Sequence, residues 1–252
     1  MRARRHPRRR RTGPRRPRRP VRRRDRLRCG PARRGGPVTA PAVHRAGDRS
    51  WIVDCLPGTV RAVADGAVTD GWDAWVTDVV PAAATVLVVA RPGTRMAALR
   101  RHLRTLAVGA AATTVTDAGA PVPPARTVEV GVRYDGADLP AVADRLGTTP
   151  AEVARAHAAA THQVGFFGFA PGFAYLDGLP DALRLPRLST PRPRVEAGVV
   201  AIAGNQTVVY PGGTPGGWHQ IGTTTAVLWD VDATPPNRLG LGDRVRFVEV
   251  PA

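Results

Sequence analysis

The sequence predicts a small α+β domain followed by a mainly β domain. Residues 50–55 alternate apolar and polar side chains, as a half-buried strand does. Residues 94–106 place four large apolar side chains at the spacing of one helix face. Beyond Val164, short apolar runs are separated by glycine and proline, and this pattern is typical of a β-sandwich or β-barrel. The chain is therefore mainly β overall.

Two further strands complete the first domain, at 76–80 and 85–90, both rich in valine. The segment 111–124 has few large apolar residues and several of threonine and proline, so it is predicted to be a linker. We accordingly place the α+β domain and its linker at 43–124 and the second domain at 125–252.

The second domain opens with a predicted strand at 127–134 and a short helix at 138–146. Another helix has a strong start signal. Thr149 is its predicted N-cap, proline follows at the first helical position, and Glu152 stands where a capping box needs it. This helix is predicted to run to about His162.

Nearly all of the net charge of +17 lies in the first residues of the chain. Residues 1–40 hold 18 Arg and one acid, a net of +17, and the remainder holds 37 − 18 = 19 basic and 20 − 1 = 19 acidic residues. An Arg- and Pro-rich segment at 1–42 cannot bury enough apolar surface to offset its ordering entropy, so we predict a disordered tail. It is a nucleic-acid or acidic-partner arm, a functionless extension, or upstream sequence translated from a mis-called start. We favour the last, so nucleic-acid binding is not expected.

Composition excludes several kinds of chemistry. All 37 basic residues are arginine, so a Schiff base, a Walker A lysine and biotinyl-lysine are excluded, and the chain carries no biotin. Cys29 and Cys55 are too few for a disulfide framework or a zinc site, and no metal site is predicted. The longest apolar run, 81–90, is too short to cross a membrane. Without the apolar core of a secretion signal, the expected location is the cytoplasm.

Several motifs follow one another in a distinctive order in the second half of the chain. They are Gly168-Phe169-Ala170-Pro171-Gly172-Phe173-Ala174-Tyr175-Leu176, Pro186-Arg187, Thr190-Pro191-Arg192, Ile202-Ala203-Gly204-Asn205-Gln206-Thr207, Tyr210-Pro211 and Thr214-Pro215-Gly216-Gly217-Trp218. In this order and spacing the chain resembles the family of the 5-oxoprolinase B subunit, which includes the sporulation-kinase inhibitor and the first subunit of allophanate hydrolase. The resemblance runs over roughly residues 43–250.

The resemblance implies a cyclophilin-like β-barrel for the second domain. It implies a protein that works with two partners, one like the 5-oxoprolinase C subunit and the other like the A subunit. Together the three proteins would hydrolyse ATP, with Mg²⁺, to open 5-oxoproline to glutamate. On this basis we expect an enzyme subunit that takes a small amide substrate and is not active alone. The alternatives are a regulatory protein that inhibits a histidine kinase and a component of an allophanate or urea carboxyltransferase.

Glycine turns and arginines supply the candidate anion-binding groups. Backbone N–H groups in the turns at Pro171-Gly172, Pro211-Gly212-Gly213 and Pro215-Gly216-Gly217 are able to face an anion, although such turns are also ordinary barrel turns. Gly204, in the turn before Gln206, is a further candidate binding residue. Arg187, Arg192 and Arg194 lie in a proline-rich stretch and suit carboxylate or phosphate, although most exposed arginines are solvated surface charge. Of these arginines, Arg192 is the predicted catalytic residue.

Three polar residues and four aromatic residues complete the candidate site. His157 is a predicted general base or orienting group, or else a packed core histidine. Gln206 is predicted to hydrogen-bond the amide, or else to join two strands, and Tyr210 is predicted to bind ligand. The aromatic residues suit a pocket wall or a subunit interface; they are Phe169, Phe173, Tyr175 and Trp218. No complete nucleophile–base–acid arrangement is evident, as expected for a site shared with a partner.

Overall fold

The computed structural model describes residues 38–112 and 126–251, which belong to one compact unit. The predictions for Cys29, for nearly all of the tail at 1–42 and for the linker at 113–124 fall outside the described residues. The first two residues of the predicted linker, Ala111 and Ala112, are described and belong to a helix.

A four-stranded antiparallel sheet and two helices form the first part of the fold. The sheet order is β1-β2-β4-β3, with β1 at Ala42–Ala46, β2 at Ser50–Asp54, β3 at Val76–Pro81 and β4 at Thr85–Ala90. Helices α1 (Val60–Gly66) and α2 (Met96–Ala112) pack against it. The predicted periodicity holds, because Leu99 and Leu103 are fully buried against Val53, Val86 and Val88.

Helix α2 is longer than predicted and α1 was not predicted. Large apolar residues at helical spacing end at Leu106, but α2 continues to Ala112 through a stretch in which four of the six residues are alanine, the strongest helix former. Helix α1 has only seven residues, too short to show two full turns of periodicity.

A seven-stranded sheet forms the second part of the fold. Its order is β12-β9-β10-β7-β6-β13-β5, with β5 at Thr127–Val132, β6 at His162–Phe167, β7 at Ala174–Asp177, β9 at Val199–Ala203, β10 at Gln206–Val209, β12 at His219–Thr223 and β13 at Arg244–Glu249. Two backbone hydrogen bonds of 2.8 Å between Arg133 and Thr223 join the two edges. The sheet is therefore a nearly closed barrel, and the predicted fold class is confirmed.

Two helices and a small two-stranded sheet accompany the barrel. Helix α3 (Leu139–Leu146) contacts β12, and α4 (Pro150–Ala159) contacts β13. The small sheet pairs β8 (Arg192–Val195) with β11 (Thr214–Gly216) in antiparallel fashion. Neither of its strands was predicted, because arginine, proline and glycine stand where alternating apolar residues would mark a strand.

The predicted capping box at the start of α4 is present. The Thr149 hydroxyl accepts from the Glu152 backbone N–H, and the Glu152 carboxylate accepts from the Thr149 backbone N–H. The predicted end near His162 is wrong. Helix α4 ends at Ala159, and His162 is the first residue of β6, where pairing with β13 takes its backbone into the sheet. Within the described ranges, no helix is both long and apolar enough to cross a membrane.

Strands β9 and β10 separate two cores. Val200, Ile202 and Val209 point into the barrel core, whereas Ala201 and Val208 belong to an aromatic cluster on the other face. Successive strand residues point to opposite faces, so this alternation decides which core each residue joins. Both faces of β9 are covered, and all five of its residues are buried.

Candidate functional site

A cleft of about 240 Å³ lies over the aromatic cluster on the outer face of the barrel. It is bounded by the end of β10, strand β11 and the loops that follow β6 and precede β8. Nine of its lining residues are predicted substrate- or nucleotide-contacting residues and the tenth is Pro191; the full lining is Phe169, Phe173, Tyr175, Arg187, Pro191, Tyr210, Pro215, Gly216, Gly217 and Trp218. Residues separated by up to 49 positions in sequence therefore meet at one surface.

Interlocking aromatic rings make the cleft floor. Phe173 packs edge-on against Tyr210, with centroids 5.2 Å apart, and tilts against Tyr175 at 5.1 Å. Tyr175 in turn lies 5.9 Å from Trp218. Phe173, Tyr210 and Trp218 are almost fully buried, so the floor is preorganised rather than assembled on binding.

Gly216 fits against Tyr210 only because it has no side chain. A Cβ atom added there would overlap the Tyr210 hydroxyl and lie 2.7 Å from its Cζ. The glycine predicted from the turn motif is thus needed for close packing on the phenol ring, and both residues line the cleft.

Phe169 stands at the cleft rim in an unusual conformation. Its φ is 70°, in the left-handed region that residues other than glycine, asparagine and aspartate rarely adopt, and its side chain is 62% exposed. It contacts Phe173 edge-on at 5.3 Å. Sparsely populated backbone conformations of this kind cluster at active sites and ligand-binding sites.

The three predicted arginines differ in what neutralises them. Nη2 of Arg192 donates to Asp138 Oδ1 over 2.6 Å, and Nε of Arg194 donates to Glu196 Oε1 over 3.0 Å. Arg187 makes no ion pair with any residue in the described ranges, and its Cζ lies 5.3 Å from the Trp218 ring centroid. Arg187 is thus the arginine whose charge is available to a ligand in the cleft.

Two phenol groups add hydrogen-bond donors to the cleft. Neither the Tyr175 nor the Tyr210 hydroxyl bonds to a residue that the structure describes. Burial raises the pKa of Tyr210 to about 12, against the lowering effect of the Arg187 charge. Burial also raises the pKa of Tyr175, again opposed by Arg187. Both phenols are therefore protonated donors at neutral pH.

His157 lies on the other side of β10, in the barrel core. It is fully buried, with Nδ1 2.8 Å from the Tyr134 hydroxyl and Nε2 3.0 Å from the Thr207 hydroxyl. Burial holds the pKa of His157 well below its usual value, and the neighbouring His162 imidazole lowers it further. His157 is thus a packed, hydrogen-bonded core histidine and does not line the cleft.

The other predicted residues lie outside the cleft. Gln206 donates to Asp177 Oδ1 over 2.8 Å and joins β10 to β7, facing a cavity of about 460 Å³ between the two parts of the fold. Gly172 lines a third cavity of about 310 Å³, beside Trp229. Pro171 is exposed, and Gly204 lies in an exposed turn. The structure therefore brings together the aromatic residues, Arg187 and the turn Pro215-Gly216-Gly217, and leaves Gln206, Gly172, Pro171 and Gly204 outside the cleft.

Asp138 is the site residue that the sequence did not indicate. Its Oδ1 holds Arg192, and its Oδ2 accepts from the Gln220 backbone N–H over 2.8 Å. In the sequence it looks like an ordinary residue before a helix, yet it makes no side-chain capping bond in α3. Nothing short of the tertiary contact distinguishes it.

No group of three or more histidine, cysteine, aspartate or glutamate side chains lies close enough to hold a metal ion among the described residues. Cys55 is buried, and burial raises the pKa of its thiol to about 11, so it is a poor nucleophile. The chemistry available in the cleft is therefore hydrogen bonding, aromatic contact and one free positive charge.

Residues 41–239 match the protein family described as carboxyltransferase domain, subdomain C and D. The 5-oxoprolinase B subunit of Escherichia coli O157:H7 is 46% identical over 129 residues, which are 50% of this chain and 59% of that protein. The 5-oxoprolinase B subunit of Bacillus subtilis (strain 168) is 44% identical over 128 residues, 50% of this chain and 53% of that protein. The chain thus matches little more than half the length of these curated relatives.

Solved structures share the fold. The crystal structure of TTHA0988 superimposes with a TM-score of 0.65 at 35% identity, covering 81% of this chain and 41% of that one. The urea amidolyase of K. lactis gives a TM-score of 0.59 at 16% identity, covering 83% of this chain and 15% of that one. The second likeness concerns the fold alone.

Proposed function

We propose that this chain is a subunit of a 5-oxoprolinase. The premise is its family: the chain belongs to the family described as carboxyltransferase domain, subdomain C and D. Family membership bears out the resemblance seen in the motifs. In the proposed reaction this chain forms a complex with a C-type partner and an A-type partner, and the complex opens 5-oxoproline to glutamate with ATP and water. The curated relatives, named as B subunits of 5-oxoprolinase, support this choice over the kinase-inhibitor and allophanate or urea alternatives.

The observation that carries the proposal is the cleft with Arg187 at its side. A lactam such as 5-oxoproline offers a flat ring, a carboxylate and an amide. The cleft offers aromatic walls for the ring, the unpaired Arg187 for the carboxylate and two protonated phenols for polar atoms. The match is one of chemical class as well as of size.

The residues of this chain are proposed to bind and orient rather than to attack. ATP would supply the phosphoryl group that makes an unreactive amide carbonyl susceptible to water. Arg187 would hold the substrate, while Asp138 fixes Arg192 beside the cleft. A preorganised floor holds the reacting amide at one position, which is the contribution that positioning makes to rate. The remaining catalytic groups would come from the two partners.

The test is glutamate production from 5-oxoproline and ATP by the full chain co-expressed with candidate A-type and C-type partners. We expect turnover that requires this chain and that falls at least tenfold in Arg187→Gln. The matched control is Arg145→Gln, which removes an exposed arginine in the last turn of α3 and should leave turnover unchanged.

Two outcomes would refute the proposal. A stable complex without turnover would exclude 5-oxoproline as the substrate and favour the regulatory or other-amide alternatives. Full turnover by the A-type and C-type partners without this chain would exclude it from the reaction.

A further inference from the structure

Among the cavities lined by described residues, the aromatic cleft combines a defined size, one unpaired positive charge and two free hydroxyl donors. These three properties discriminate between the two ligands of the proposed reaction, a small carboxylate and a nucleotide.

The charge of the cleft suits one carboxylate. Arg192 and Arg194 are each paired with a carboxylate at 2.6 and 3.0 Å, so their charges are largely neutralised. Arg187 supplies one positive charge, and its planar guanidinium matches a carboxylate through two parallel hydrogen bonds. A triphosphate carries several negative charges and would leave most of them without a partner in this cleft.

The volume of the cleft leads to the same choice. Pockets that enclose drug-sized ligands span roughly 300–1,000 Å³, and the cleft measures about 240 Å³. A five-membered ring with one carboxylate fits within this space, whereas a nucleotide has to leave most of its atoms outside. The closed packing of Gly216 on Tyr210 prevents the floor from deepening without displacement of the ring.

The available donors complete the match. The Tyr175 and Tyr210 hydroxyls line the cleft and have no partner in the part of the chain that the structure describes. Both are O–H donors, which suit a carbonyl or carboxylate oxygen.

We infer that the aromatic cleft binds a small carboxylate rather than a nucleotide, and that Arg187, held over Trp218, is the residue that recognises the carboxylate. The identification of this ligand as 5-oxoproline rests on the proposed function. The preference for a small carboxylate over ATP rests on the cleft alone. The nucleotide of the proposed reaction would then bind elsewhere in the assembly.

The experiment is ¹⁹F NMR of the full chain labelled with 5-fluorotryptophan, alone and assembled with the candidate C-type partner. The chain has five tryptophans, and Trp218→Phe assigns the resonance of interest. If that variant does not fold, substituting the other four one at a time assigns it by elimination. A site-specific signal is needed because the Arg-rich first 40 residues attract ATP regardless of the cleft.

The probes are 5-oxoproline, cyclopentanecarboxylate, 2-pyrrolidinone and ATP, each at about 0.15 M salt to screen the tail. We expect both carboxylates to shift the Trp218 resonance at concentrations at least tenfold lower than 2-pyrrolidinone, which has the lactam but no carboxylate. Arg187→Gln should abolish that tenfold preference, and Arg145→Gln should preserve it. ATP should neither shift the resonance nor displace 5-oxoproline.

Saturable displacement of 5-oxoproline by ATP would overturn the inference, as would equal responses to 2-pyrrolidinone and the carboxylates. A Trp218 response without turnover by the assembled complex would refute the proposed function and leave the carboxylate site standing. Turnover that requires this chain, without any Trp218 response, would refute the site and leave the function standing.

Discussion

Nη2 of Arg192 lies 2.6 Å from Oδ1 of Asp138, a contact that joins strand β8 to the start of α3 across 54 positions of sequence. The second oxygen of Asp138 accepts from the Gln220 backbone N–H of β12. One carboxylate thus ties three elements together beside the cleft. The two side chains are only 15% and 32% exposed, so the pair is less screened by water than a surface ion pair.

Asp138→Asn should therefore destabilise the fold by about 2 kcal/mol, less than for a fully buried pair but well above a surface change. Urea unfolding at neutral pH measures the difference. The control is Asp181→Asn, which breaks an exposed pair with Arg184 and should change stability by less than about 0.5 kcal/mol. Equal effects in the two variants would show that Asp138 has no special role.

Gly216→Ala should destabilise the chain by roughly 1–3 kcal/mol, because the added methyl overlaps the Tyr210 ring and forces it to move. The same change should weaken ligand binding in the cleft. The control is Gly109→Ala in helix α2, where an added Cβ meets no described residue within 4 Å. That variant should gain up to about 1 kcal/mol from helix propensity. A neutral Gly216→Ala would mean that the ring is free to move.

Two of the buried histidines, His157 and His162, should make stability depend on pH. Burial lowers the pKa of His157 and of His162 below the usual value of 6.5. The unfolded chain therefore binds protons near pH 6 that the folded chain does not, so stability is full above about pH 6.5 and falls below it. Urea unfolding between pH 8 and 5 should show this decline. In His162→Gln the decline should be shallower, and an unchanged slope would contradict the assignment.

Glu152 should contribute in a lower pH range. Hydrogen bonds from the Thr148 side chain, the Thr149 backbone and the Thr149 side chain lower the pKa of Glu152 to about 2. Its folded pKa is below the usual 4.5, so its contribution is complete above that pH and is lost as the pH falls toward 2. Glu152→Gln keeps a capping side chain without titrating. The stability difference between the two proteins should thus narrow from pH 5 to pH 2, and a constant difference would be evidence against the lowered pKa.

Most of the cleft is recognisable from the sequence. Its aromatic residues and glycine turns stand out as motifs because ring packing and close backbone approach require particular residue types. Gly216 is the clearest case, because its close contact with Tyr210 leaves no room for a side chain and the motif has glycine at that position. Strand β4 was likewise predicted with its observed bounds, because alternating burial imposes a visible period on the sequence.

Short or proline-rich elements were not predictable in this way. Helix α1 and the paired strands β8 and β11 depend on neighbours distant in sequence, so local periodicity says little about them. The end of α4 was misplaced for the same reason. His162 leaves the helix because β13 and β7 flank β6 in the barrel sheet, and a single alanine-rich stretch gives no sign of that pairing.

The sequence by itself determined which residue types were present for binding: aromatic walls, glycine turns, arginines and no lysine. The tertiary structure alone decided which of them share a site. Register across β10 puts Tyr210 on the outer face with the cleft and Thr207 on the inner face with His157, so the sheet separates the histidine from the cleft. Asp138 pairs with Arg192 and Glu196 pairs with Arg194, so Arg187 is the one of these three arginines that has no ion pair among the described residues. Charge neutralisation and strand facing are long-range properties, which is why composition and motifs did not reveal them.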